Sequence, residues 1–192
     1  MRRIFPITGL TLFAGALAAV AGASEPEELD VRQAMVEGVN PATLAIWDVG
    51  NNALDEDGGL DPALMDDAAW ARLHEAAQSL ATYGHGMANA HGIRASGPDL
   101  VEGKVPEGAA SREQIQAMID GNPDGFRAHS AEMERQARAI ADAAAARDLE
   151  AAGPLINQLD GMCESCHLDY WYPDQKALVE SIRQAGGDDP AR

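Results

Sequence analysis

Residues 148–170, DLEAAGPLINQLDGMCESCHLDY, decide how this chain reads. Leu149, Ala152, Ile156, Leu159, Cys163 and Cys166 follow one another at steps of three and four, so they form one stripe of an α-helix. The spacing predicts a helix from Asp148 that carries both cysteines towards the core. Pro154 falls in the first turns, where proline is tolerated, and Tyr172-Pro173 marks the stop before a tail that can form one more short helix.

Working outward, the same periodicity recurs. Phe126, His129, Met133, Ala137, Ile140 and Ala144 make a stripe behind the start signal Asn122-Pro123, ending near Arg147. Leu73, Ala77, Leu80, Gly84 and Met87 make another within 67–91. Met35, Ala42, Ile46 and Val49 mark a first helix that starts near Glu28 and is interrupted at Asn40-Pro41, where Asn can cap and Pro can open the continuation. Between the second and third long helices, residues 95–121 read as an insertion. It is a loop with Gly97-Pro98, Pro106 and Gly108, then a short helix behind the capping box Ser111-Arg112-Glu113-Gln114. Strand-like alternation is nearly absent and aromatic residues are only 5% of the composition, so the fold class is all-α. Four long antiparallel helices imply an up-and-down four-helix bundle.

The chain has 192 residues, enough for one domain of ordinary size. Its start reads as a cleaved signal peptide over 1–23, with Arg2 and Arg3 as the positive end, an uncharged apolar run and Ala21-Gly22-Ala23 for cleavage. A membrane anchor is the rival, but the run is short, rich in Gly and Ala and broken by Pro6, whereas a span needs about 20 apolar residues. The mature domain is then 24–192, exported to the periplasm and without a membrane span. Loss of Arg2 and Arg3 takes the 14 basic residues to 12 against 31 acidic ones, a net charge of −19. Nucleic acid is thereby excluded as a partner, and proteins with basic docking surfaces are favoured.

The two cysteines are the only ones in the chain, and His167 follows the second. Cys-x-x-Cys-His is the attachment pattern of c-type haem. Cysteines three apart share a helix face, so each thiol can add to a vinyl group of one porphyrin. His167 is then carried beneath the ring as the proximal iron ligand. The competing readings are weaker. A redox dithiol belongs beside a strand–helix unit, which is not seen, and a closed zinc site needs four ligands, whereas the other histidines are scattered at 74, 85, 91 and 129. A disulfide across so small a loop would restrain little of the unfolded chain.

With Tyr170 completing Cys163-x-x-Cys166-His167-x-x-Tyr170 close to the C-terminus, the sequence resembles the class II c-type cytochromes, the group of cytochrome c prime and its low-spin relatives. Asn40-Pro41-Ala42 with Trp47, and Tyr170-Trp171-Tyr172-Pro173, resemble a periplasmic subgroup of it. The resemblance implies one covalently attached haem c and a distal residue supplied by the first helix. It also implies an arginine, here Arg32, paired with a haem propionate, and a homodimer through the first two helices, with which the loop from Ser96 to Ala110 would interfere. One departure is visible: where the family usually has a basic residue after the motif's tyrosine, this chain has Trp171.

Met35 is the candidate sixth ligand, since a thioether is an established axial partner of haem iron, although a methionine on an apolar stripe can equally be core filling. A register one residue later would put Val36 there and leave iron five-coordinate. Met87, His85 and His91 are outlying candidates. The expectation is a one-electron carrier and not an enzyme, since no histidine stands on the first helix for peroxidase chemistry. The alternative is a five-coordinate protein that binds or senses small gases such as NO or CO.

Overall fold

A computed structural model describes residues 28–55, 59–97, 105 and 107–187. The signal segment 1–23 lies outside the described residues, as does part of the 95–121 insertion.

The chain is mostly helical. A two-residue strand β1 (Leu29–Asp30) pairs in parallel with β2 (Ile93–Arg94), Leu29 opposite Ile93 and Asp30 opposite Arg94. This pairing is an addition to the all-α expectation, and two residues are too short to leave an alternating pattern. It sets the start of the first helix at Val31 rather than near Glu28. Asp30 is the N-cap of α1 (Val31–Ala34), its carboxylate accepting the Gln33 amide at 3.1 Å.

The interruption expected at Asn40-Pro41 is not there. α1 continues through a π-helical turn (Met35–Val39) into α2 (Asn40–Asn52). Proline removes a helical N–H and crowds the carbonyl four residues back. The wider turn just before it reroutes the bonding, and the Asn40 amide donates to the Met35 carbonyl.

The remaining helices follow their stripes. α3 (Asp67–Ala88) is capped by Asp66, which accepts the Ala69 amide at 2.8 Å. α4 (Arg112–Gly121) opens with the full capping box of Ser111 and Gln114. α5 (Pro123–Ala146) is capped by Asn122 and ends at Arg147, whose φ of 55° closes the helix in the left-handed region. α6 (Leu149–Tyr170) is capped by Asp148 and keeps Pro154 within its first turns. After a 3₁₀ turn (Pro173–Gln175), α7 (Lys176–Gly187) ends the described chain. Lys176 is paired with Asp169 and Arg183 with Glu164, so α7 is tied to α6 within the cysteine motif and just beyond it.

α3 packs along α5, α5 against α6, and α2 against both α3 and α6. Ile46, Leu73, Leu80, Phe126, Ile140 and Leu159 fill the space between these four and are almost wholly buried. Each such side chain contributes about 1.5–3 kcal/mol through removal from water. Gly84 allows a close approach of α3 to α5, since a Cβ there would stand 2.8 Å from the Glu134 backbone nitrogen. No helix among the described residues is long and apolar enough to cross a membrane.

Candidate cofactor site

The C-terminal half of α6 forms one wall of an open cavity of about 280 Å³, contributing Met162, Cys163, Cys166, His167 and Tyr170, with Trp171 and Tyr172 just beyond. Another wall comes from α1, the π turn and α2, with Arg32, Met35, Val36, Val39, Thr43 and Trp47. Phe126, His129 and Met133 of α5 and Ile115 and Ile119 of α4 complete the enclosure. The cysteines, which the sequence stripe aims at the core, are half-buried, packed against the core and lining this cavity.

Both thiols are free, and burial pushes them up, Cys163 to about 11 with Asp160 adding, and Cys166 to about 12 with Asp169 and Cys163 adding. A catalytic dithiol depends on the opposite shift, because the thiolate is the nucleophile. This pair is therefore poorly suited to disulfide exchange. His167 is reached by solvent through the cavity yet closely surrounded by protein, and desolvation holds its pKa below the ordinary value. Its ring is thereby favoured in the neutral form, the form that ligates a metal.

The residues fit an iron porphyrin. Two thiols three apart could bond to its vinyl groups and the adjacent imidazole could ligate its iron, and the rest of the lining is largely apolar. Two buried polar atoms on the far wall, Arg32 Nε and Thr43 Oγ1, have no hydrogen-bond partner within the described structure. Such atoms call for a polar guest. The Arg32 side chain is pressed against Gly97, whose φ of 90° strains any other residue and where any Cβ would overlap Arg32 Cδ. Arg112 donates to the Gly97 carbonyl at 3.0 Å and holds that loop in place.

The remaining sequence candidates separate clearly. Met35 is half-buried on the cavity wall, and Val36, 54% exposed, lies beside it. Met87 is buried at the cavity's inner end, His85 turns to Glu134 at 3.1 Å on the surface, and His91 is exposed. Trp171 sits beside the His167 ring, the centroids 6.5 Å apart and tilted by 49°.

One feature of the wall escaped the sequence reading. His129, assigned there to a core stripe, lines the cavity and places Nε2 2.8 Å from Asp169 Oδ2, while Lys176 donates to the other carboxylate oxygen at 2.7 Å. The His129 ring also meets Tyr170 edge-on, 6.1 Å between centroids. The two partners are 40 residues apart and carry no local signal of their pairing.

Residues 27–171 match the family model described as Cytochrome C'. Comparisons with curated proteins and with solved structures find no match.

Proposed function

Because the chain belongs to the cytochrome c′ family, we propose that it is an exported, periplasmic mono-haem c-type cytochrome that carries single electrons and catalyses no reaction of its own. In this reading α2, α3, α5 and α6 are an antiparallel up-and-down four-helix bundle. Cys163 and Cys166 hold one haem c through thioether bonds. His167 supplies the proximal nitrogen, Met35 the sixth ligand, and Arg32 a partner for a propionate. The group, when bound, supplies the one-electron redox couple.

The observation that carries this reading is the single cavity that gathers Cys163, Cys166 and His167 on one wall and Met35 on another. Ligation by both a neutral imidazole and a thioether favours little reorganisation between redox states. The protein's own contribution is an apolar lining from Phe126, Met133 and Ile119, and the Arg32 side chain packed against Gly97. The acidic surface suits encounter with basic redox partners in a salt-sensitive way.

Val36 supports a second reading. It stands on the same wall and is open to the cavity, so an iron facing it would be five-coordinate and able to take a small gas. Visible and near-infrared spectroscopy of the oxidised holoprotein decides between them. The electron-carrier reading predicts a sulfur-to-iron charge-transfer band that disappears in Met35→Leu. A high-spin spectrum, with free carbon monoxide binding on reduction, would favour the open site.

A further inference from the structure

We infer that Pro41 and the π-helical turn before it are positioning elements for the distal ligand: they rotate Met35 off the fully buried stripe and leave it half-buried on the cavity wall. The inference rests on the proposed ligation by Met35. It concerns how the helix presents that residue.

Along α2 the buried positions Val49, Ile46, Ala42 and Val39 run back at steps of three and four. An α-helix continued by a further four would bury Met35 next. The buried residue is instead Ala34, five before Val39 and 7% exposed, followed at the regular spacing by Val31 at 5%. The π turn accommodates this extra residue, and Met35 leaves the buried stripe and stands half-buried on the cavity wall, which Val31 and Val39 line from the stripe itself.

Both sides of the turn are anchored. Downstream, Gly38 is buried against α3, where any Cβ would overlap the Tyr83 ring, so residue 38 is held facing that ring. Upstream, the β1–β2 pairing and the Asp30 contact with Ser96 hold the start of α1. Between them Pro41 has no N–H to offer, and its ring would crowd the carbonyl of Glu37, four residues back, in a regular α-helix. The Asn40 amide bonds to Met35, five residues back, which is the widened geometry that relieves this conflict. With an ordinary residue at position 41, the turn is free to close to α-helical spacing. The segment before it would then rotate by about 100° for each residue of register, turning Met35 inward.

The test uses the haem-loaded, full-length protein and its sulfur-to-iron charge-transfer band. The native protein is expected to show the band, and Pro41→Ala to lose it. Removing Glu37, an exposed residue of the turn, from the Pro41→Ala chain absorbs the extra residue. That double variant is expected to regain the band. Persistence of the band in Pro41→Ala, or its absence from the double variant, overturns the inference while leaving Met35 ligation standing. Absence of the band from the native protein removes Met35 ligation itself, and the inference with it. If Pro41→Ala does not accumulate, the double variant carries the decision, since restored register predicts a folded protein with the band.

Discussion

Asp169 accepts a hydrogen bond from Lys176 on one carboxylate oxygen and sits 2.8 Å from His129 Nε2 on the other, joining α5, α6 and α7 just past the cysteine motif. The Lys176 bond is the largest influence on its carboxyl; burial opposes it and His129 adds to it, and the pKa falls below the ordinary 3.8. A carboxylate depressed in the folded state stabilises above its unfolded pKa and loses that stabilisation as pH falls through the folded one. The pair is partly exposed, so its worth is about 0.2–1 kcal/mol. Denaturant midpoints should therefore show Asp169→Asn less stable than the native protein at neutral pH. The gap should close as pH drops below 3.8. A gap that widens on acidification would contradict the assignment.

Tyr170, the last residue of the Cys-x-x-Cys-His-x-x-Tyr pattern, donates its hydroxyl to the Asn122 carbonyl at 3.0 Å and packs edge-on against Phe126, 5.6 Å between centroids. It thereby fastens the end of α6 to the start of α5. Tyr170→Phe keeps the ring and removes the bond, with an expected loss of about 0.5–1.5 kcal/mol in equilibrium unfolding. Tyr170→Leu should cost more, because the aromatic pair is lost as well. Equal losses in the two variants would mean that the ring packing contributes nothing.

Gly84 and Gly86 lie in the same helix and make a matched pair. A methyl at Gly84 would meet the backbone of Glu134, whereas one at Gly86 would meet nothing within 4 Å. Alanine for glycine inside a helix gains up to about 1 kcal/mol of propensity. Overpacking against a backbone costs about 1–3 kcal/mol. Thermal unfolding should then show Gly86→Ala stabilised and Gly84→Ala destabilised. Stabilisation of both would mean that α3 and α5 separate freely.

The sequence made the long helices legible because their apolar steps agree with local start signals. The stripes of α3, α5 and α6, the start signals at Ser111 and Asn122 and the helix start at Asp148 appear where periodicity and capping chemistry put them. The motif residues Cys163, Cys166 and His167 were legible because their spacing alone brings them to one helix face. What stayed hidden depends on partners distant in the chain or on one residue of register. Asn40-Pro41 carries the signal of a capped helix start, and the same two residues can equally follow a π turn within a continuous helix. The β1–β2 pairing spans only two residues per strand, and the meeting of His129 with Asp169 exists only once α5 lies against α6.

Each role proposed for the cavity residues requires iron porphyrin bonded to α6 through sulfur. Intact mass measurement of the protein, matured in a host able to assemble c-type cytochromes and then extracted with acid acetone, tests this most directly. A mass equal to the polypeptide plus one haem, with the colour retained after extraction and lost in a Cys163→Ala, Cys166→Ala chain, is the predicted result. An unmodified polypeptide, its two thiols free or joined to each other, would contradict it.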